Sequence, residues 1–390
     1  MSNQILTPRR IAIGGGSIRE LPGILKQLGI RKPLLVVDPR LHQLGIADPV
    51  VQALRAAGID FQLFTEVIED PDDASVQRTV EAIRRAGHDG LVGIGGGSAI
   101  DTAKAAAIVA ALDEPVRALM VPRIVDEAAL PVVAIPTTAG TGSEVTRACV
   151  ITDSASREKM LILGMACLPT AAIVDYELTL SCPFRVSADT GLDALTHALE
   201  ALVNRNRNPY ADALALSALQ LIGKSLVTAC REPQNQPARE AMMMGAMHAG
   251  LAVSNTSTAL VHGMSRQIGA LFHVPHGLSN AMLLPAVTEF SASAAPQPYA
   301  AAARALGWAT ALDSDTDAID KLIAGFWNLN ATLEVPTPAE FGIDHRQYHD
   351  ARPMMAELAL SSGTPANNPR LASKNDIIEI YTRAWTRQAA

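Results

Sequence analysis

"GLVGIGGGSAIDTAKAAAIVAA", Gly90 to Ala111, decides how the chain is read. An apolar run meets the glycines Gly95, Gly96 and Gly97, and a long Ala-rich stretch without proline follows. A run with no polar alternation reads as a strand covered on both sheet faces. The glycine turn then feeds directly into a helix, and strand, turn and helix make up the repeating unit of a parallel sheet.

Outward from this unit the alternation repeats. "RRIAIGGG" (Arg9 to Gly16) is a strand ending in a glycine turn, with Ser17 as the expected cap of the helix in "SIRELPGILKQLG". "PLLVVD" (Pro33 to Asp38) is another doubly buried strand. A helix near 50–58, the strand-like "DFQLFTEV" and a helix over 74–86 come before the central unit. "LPVVAIPTTAGTGSE" adds a strand and a Gly/Thr loop, and "AAIVDYELTL" (Ala171 to Leu180) adds a last strand. The sum is a doubly wound, mostly parallel sheet of the kind that binds dinucleotides. After Leu180 long Ala/Leu-rich stretches predict helices over 187–203, 208–230, 237–254, 256–272, 299–307 and 315–332. The expectation is an α/β domain over 1–180 and an all-α domain over 181–390.

Composition agrees with two domains, since 390 residues exceed one comfortable core. Hydrophobic residues at 48% and charged ones at 18% describe an ordinary globular chain, and aromatics at 4% leave the core to Ala, Leu, Ile and Val. A net charge of −7 offers no basic footprint for nucleic acid or an anionic membrane. No apolar run reaches the ~18–20 residues of a membrane span, and Pro8, Arg9 and Arg10 interrupt any leader-like core. Cys149, Cys167, Cys182 and Cys230 stand far apart in sequence without a CxxC pair, so they read as buried thiols of a reducing compartment. A cytoplasmic protein is expected.

Two glycine turns, Gly14–Ser17 and Gly95–Ser98, compete for a phosphate, which would sit on backbone N–H groups at a helix start. The second opens the longer helix, with Asp101 and Lys104 in its first turns; Pro22 and Gly23 interrupt the helix after the first. Asp38 ends an apolar strand, where a carboxylate can accept from ribose hydroxyls or simply form a turn before Pro39. It precedes the phosphate loop, whereas the usual fingerprint has the acid about 20 residues after it. Thr137, Thr138, Thr141 and Ser143 suit contact with a nicotinamide or phosphate, and equally a plain turn.

The second half carries titratable groups on apolar helices. Asp193 and His197 in "GLDALTHALE" stand at i and i+4, on one helix face. "HGMSRQIGALFHVPHG" brings His262, His273 and His276 within about four helical turns. One oxygen and up to three nitrogens suit a divalent transition metal. Buried without a cation, they would be costly. His42, His88, His345 and His349 read as surface residues, and His248 as core packing.

"GGGSAIDTAK", "PTTAGTGSE", "GLDALTHALE" and "HGMSRQIGALFHVPHG", in this order, closely resemble the iron-containing (group III) alcohol dehydrogenase family over about residues 5–385. The resemblance implies a dehydroquinate synthase-like architecture and metal ligands at Asp193, His197, His262 and His276. It also implies a pyrophosphate loop at Gly96, Gly97 and Ser98, and an NAD-favouring ribose acid at Asp38. Asp101, Thr137, Thr138, Thr141 and Lys159 fall on further cofactor positions. A homodimer or larger assembly is implied as well.

Two positions depart from the family pattern. Asp70 stands before Pro71 where many relatives have Asn, adding charge near the cofactor phosphates. Arg266 stands four residues after His262 where many relatives have His. An arginine cannot shuttle protons at neutral pH, but it can clamp a substrate carboxylate or form a salt bridge to Asp or Glu. His273 is then the remaining candidate for proton relay. The expected activity is metal-dependent, NAD(H)-linked interconversion of a small alcohol and its aldehyde or ketone, with Fe²⁺ implied by the family and Zn²⁺ compatible with the ligands. The rivals are a hydroxyacid–oxoacid transhydrogenase, a lyase or synthase using NAD and metal, and a dinucleotide sensor.

Overall fold

Consecutive side chains of a strand point to opposite faces, and the first half of the chain is built on that rule. The computed structural model describes residues 4–156 and 158–386. Its strands are β1 (Arg10–Ile13), β2 (Pro33–Val37), β3 (Gln62–Phe64), β4 (Gly90–Gly95), β5 (Val132–Pro136), β6 (Ala148–Thr152), β7 (Lys159–Leu163) and β8 (Ala171–Val174). Between them run α1 (Leu21–Leu28), α2 (Pro39–Gln43), α3 (Asp48–Ala56), α4 (Asp73–Ala86) and α5 (Gly97–Leu112). Leu34 and Val36 join a core with Val76, Val80 and Ile83 of α4 and Ala103 and Ala106 of α5. The alternate residues Leu35 and Val37 join another with Leu21, Ile24, Val50 and Leu54 of α1 and α3. Helices therefore cover both faces.

The sheet has six strands in the order β1-β8-β5-β4-β2-β3, every pair parallel. From β2 the chain steps outward to β3, then returns to the other side of β2 for β4. The order therefore reverses between β2 and β4, the switch point outside whose carboxyl ends open sheets bind ligands. Val37 pairs with Ile94, so Asp38 and Gly95 leave the sheet side by side. Gly95 has φ 151°, and a Cβ there would stand 2.8 Å from that of Ala99. Only glycine turns the strand into α5 so abruptly.

Three local expectations are corrected. The last strand stops at Val174, because Asp175 turns the chain into a 3₁₀ segment over Tyr176–Thr179. Ser17 is no cap: its Oγ is buried without a hydrogen-bond partner, and a 3₁₀ turn over Ser17–Glu20 precedes α1. Asp175 does that work instead, accepting from Gly16 N (3.1 Å) and Ile18 N (3.1 Å). Beyond the sheet, β6 and β7 form an antiparallel hairpin that the residue pattern did not announce. His88, expected at the surface, is 5% exposed and bonded to Lys32 O and Gln62 Oε1.

The chain divides into two compact units, Leu6–Ser181 and the residues from Cys182 on. Among the described residues of the second unit there is no strand. It comprises α6 (Phe184–Val203), α7 (Pro209–Arg231), α8 (Gln236–Ser254), α9 (Leu260–Phe272), α10 (His276–Ser291), α11 (Pro296–Ala305), α12 (Asp315–Thr332), α13 (His345–Ser361) and α14 (Lys374–Thr386). Of these, α10, α13 and α14 were not anticipated, and α9 begins later than residue 256. By length and composition α7 would qualify as a membrane span, with a mean hydropathy of 1.5, contrary to the expectation of none. Here it packs against α6 and α8, with Ala211, Ala215, Ala218, Leu219 and Ile222 buried. Cys149 and Cys167, distant in sequence, are buried free thiols that share an S–H···S contact at 3.8 Å.

Asp175 also accepts from Glu177 N (3.1 Å), so its removal would strand three amides around the β1–α1 turn. Asp175→Ala should lower unfolding stability by about 2–3 kcal/mol, read as a shift of the urea midpoint at constant slope. An unchanged midpoint would mean that water replaces the carboxylate without loss.

Candidate active site

In the first unit the candidate residues gather at the carboxyl ends of β2, β4 and β5. Asp38 is partly exposed, and its Oδ1 caps α2 by accepting from Arg40 N (2.8 Å) and Leu41 N (3.1 Å). Both readings of this residue thus meet in one side chain: it forms the turn before Pro39 and stands beside the glycine loop. The two loops differ in what already faces their amides. The amides of the first already face the chain's own Asp175 carboxylate. The second starts α5 at Gly96 with no side-chain cap, which leaves first-turn N–H groups for an anion.

The Gly/Thr loop lies against that helix start. Thr137 N donates to Gly95 O (3.0 Å). A Cβ on Gly96 would meet Thr138 Oγ1 at 3.6 Å, and one on Gly97 would meet Thr141 Cγ2 at 3.4 Å. Thr138 Oγ1 is buried and has no hydrogen-bond partner among the described residues. Thr141 Oγ1 accepts from Ser143 N (3.2 Å). Asp101 is spent on holding this loop: Oδ1 accepts from Ser143 Oγ (2.5 Å) and Oδ2 from Val150 N (3.0 Å). Lys104, fully buried, donates to Ser143 Oγ, Thr146 O and Ala148 O. Lys159 pairs with Asp70 at 2.8 Å, so the extra charge at position 70 is neutralised within the chain. Asp70 sits at φ 53°, a left-handed conformation that Asp tolerates as Asn does.

In the second unit α6 is buried on nearly all sides, and Asp193 is 2% and His197 7% exposed. Asp193 Oδ1 lies 3.4 Å from His262 Nε2, 3.6 Å from His276 Nε2 and 3.8 Å from His197 Nε2. The rings of His197 and His262 stack at 4.5 Å, and that of His276 lies 5.2 Å from His262. Ligands ~2.1 Å from one tetrahedral ion stand ~3.4 Å apart. Measured from Asp193 Oδ1, the three imidazole nitrogens stand near that spacing. The tightest group is Asp193, His262 and His276, and His197 stands slightly wider. Gly277 makes the approach possible, because a Cβ there would lie 2.1 Å from Asp189 O on α6.

Two residues escaped the sequence reading. Glu200, 3% exposed, accepts from Ala259 N (2.8 Å), Val261 N (2.6 Å) and His262 Nδ1 (2.7 Å). It caps α9 and, by accepting from Nδ1, orients the ring so that Nε2 of His262 faces Asp193 Oδ1. Asn280 Nδ2 donates to Asp193 Oδ1 (2.7 Å) and lies 3.2 and 3.4 Å from His262 and His276 Nε2. Its Oδ1 is buried without a partner. The available signals were a carboxylate three residues after His197 and an amide four residues after His276.

Electrostatics express the same demand for positive charge. Burial opposes ionisation of Asp193, yet His197, His276 and His262 hold it well below the usual carboxylate range. Burial also opposes a charged His262, but Glu200 and Asp193 overcome it and lift the imidazole to about 9. His276 is held down to about 4 by desolvation and by the charges of His262, His197 and Arg266, against Asp193. Its side chain nevertheless keeps 49% of its surface open.

The remaining candidates separate. His273 is exposed at the left-handed C-cap of α9 (φ 55°), where it ends the helix, and among the described residues its side chain makes no hydrogen bond, ion pair or ring contact with Asp193, His197, His262 or His276. Arg266 is partly buried and makes no hydrogen bond or ion pair among the described residues, so the expected salt bridge to Asp or Glu is absent.

The family model "Iron-containing alcohol dehydrogenase" matches residues 8–176, and that of the "Fe-containing alcohol dehydrogenase family, C-terminal" matches 187–385. An NAD-dependent methanol dehydrogenase of Bacillus methanolicus is 36% identical, covering 98% of this chain and 100% of its own. A solved 1,3-propanediol oxidoreductase superposes with a TM-score of 0.95 at 34% identity, covering 98% of this chain and 100% of its own. Sulfoacetaldehyde reductase from Bifidobacterium kashiwanohense, solved with NAD⁺, gives 0.89 at 27% identity over the whole of both chains.

Glu200→Gln should weaken metal affinity about 10- to 100-fold, measured by competition with a chromophoric chelator, while far-UV circular dichroism stays unchanged. Unaltered affinity would reduce Glu200 to a helix cap.

Proposed function

The chain belongs to the iron-containing alcohol dehydrogenase family, and on that premise we propose that it is a metal-dependent, NAD(H)-linked oxidoreductase interconverting a small alcohol and its aldehyde or ketone. The observation that carries the reading is the convergence of Asp193, His262 and His276, with His197 beside them, on buried helical surface. A divalent cation there, Fe²⁺ by the family's name, supplies Lewis acidity that lowers the pKa of a substrate hydroxyl and polarises a carbonyl.

The chain's own residues do the rest. Asp193 contributes the single formal negative charge among the ligands, so a divalent site keeps a net charge of about +1. Glu200 fixes the His262 tautomer. In the first unit, the amides that open α5 at Gly96, Gly97 and Ser98 are offered to the pyrophosphate of NAD, and Asp38 to a ribose hydroxyl. A carboxylate at that position disfavours a 2′-phosphate and so NADP. The neutral face of Thr137, Thr138 and Thr141 is offered to the nicotinamide half. Asp101 supports this indirectly, by holding the loop through Ser143. Lys159, paired with Asp70, presents a neutralised edge. Assembly as a homodimer or larger is part of the same reading.

Iron-reconstituted protein should oxidise NADH in the presence of small aldehydes. His262→Ala should lose metal, measured by elemental analysis, and at least about 10³-fold of turnover, while NAD binding and circular dichroism persist. Metal-free His262→Ala protein with normal turnover would overturn the scheme. Turnover only when a second oxo acid is supplied would mark a transhydrogenase instead.

A further inference from the structure

We propose that Arg266 is the specificity-determining residue of this site, and that the substrate is a small aldehyde or alcohol that also carries an oxyanion, a carboxylate or a sulfonate. The proposal rests on the metal- and NAD-linked reading above and names its substrate class.

Six arginines of the helical unit are buried or partly buried among the described residues. Five have found acceptors. Arg185 binds Asp189 and the carbonyls of Leu333 and Glu334. Arg239 binds Ser187 Oγ and Pro233 O, and Arg304 binds Asp315 with two carbonyls. Arg352 donates to His349 O and Thr382 Oγ1, and Arg383 to Glu289 and Glu379. Arg266 alone has no hydrogen bond or ion pair. A guanidinium has five donors and cannot shed its charge; those of Arg266, which is partly buried, have no acceptor among the described residues and are left to solvent or a ligand.

Nor can its nearest acid serve. Glu200 feels the charge of Arg266, but both its oxygens are taken by Ala259 N, Val261 N and His262 Nδ1. Arg266 stands four residues after the ligand His262 on α9. That spacing puts their side chains on one helix face with Cβ atoms ~5–6 Å apart. Its charge also reaches His276, the ligand whose side chain is half open. A fork of unsatisfied donors beside the open flank of a cation site suits a planar oxyanion held bidentately. A separation of one helical turn calls for a spacer of only a few carbons between that oxyanion and the reacting carbonyl. The reaction stays balanced as before: NADH and a proton reduce the aldehyde to the alcohol, and the oxyanion is unchanged.

The test uses iron-loaded full-length protein, wild type, Arg266→Met and Arg266→Lys, with metal content and circular dichroism as controls. Two matched pairs are compared by NADH oxidation: 4-oxobutanoate with butanal, and 2-oxoethanesulfonate with propanal. Separately, propionate and ethanesulfonate are titrated calorimetrically as unreactive anions. In wild type at least one anionic aldehyde should exceed its neutral partner about 100-fold in kcat/KM, and the better pair tells carboxylate from sulfonate. Arg266→Met should remove that preference through KM, lowering kcat/KM for the anionic aldehyde far more than for its neutral partner, and abolish binding of the matching anion; Arg266→Lys should fall between. Equal losses for charged and neutral aldehydes, or a raised KM for NADH alone, would overturn the proposal. So would a wild type that prefers the neutral partners. Absence of NADH oxidation with every aldehyde would sink the parent reading, and Arg266-dependent anion binding in the calorimeter would then still support the clamp, its absence count against it.

Discussion

A carboxylate cannot be buried alone, and the helical unit is arranged around that constraint. Asp193 lies in the middle of α6, itself almost wholly enclosed. Desolvating an ionised carboxylate costs several kcal/mol after relaxation, so every polar group within reach converges on it. Three imidazoles lie 3.4–3.8 Å from its Oδ1, and an amide donates at 2.7 Å. The second buried acid, Glu200, faces the same problem and solves it differently, by taking backbone amides and the far side of His262. With one acid toward the cation and one behind a ligand, the imidazole between them becomes rigid. α9 can start only where Glu200 caps it, and α10 only where Gly277 clears Asp189.

The α/β unit uses carboxylates in the same way, to occupy places that an outside anion would otherwise take. Asp175 fills the amides of the first glycine turn, and Asp70 occupies Lys159. Asp101 and Lys104 are consumed by the Gly/Thr loop. What is left open is the start of α5 at the sheet's switch point, with Asp38 beside it.

Much of the fold was legible because its signals are local. Doubly buried strands such as Pro33–Val37 and Val132–Pro136 advertise themselves as unbroken apolar runs, and the glycine turns mark where they end. The hairpin of β6 and β7 was not legible, since five-residue strands with mixed burial carry little periodicity. Ser17 misled for a related reason: a serine before a helix is a good local cap, but Asp175 arrives from 157 residues away with two acceptor oxygens. Local propensity loses to such a partner whenever topology delivers one.

The residues alone brought forward the groups proposed to bear the chemistry. Spacing put Asp193 with His197 on one face, and motif order placed His262 and His276 with them; an alternating strand and helix pattern set the parallel sheet. Tertiary structure decided which neighbours those groups would have. It placed His273 at a helix end, brought Glu200 and Asn280 against His262 and Asp193, and left Arg266 without the acid it was expected to meet. The physical reason is range. Helical and strand periodicity act over a few residues, whereas satisfaction of buried charge is settled across space by whichever donors and acceptors the packing leaves within about 3 Å.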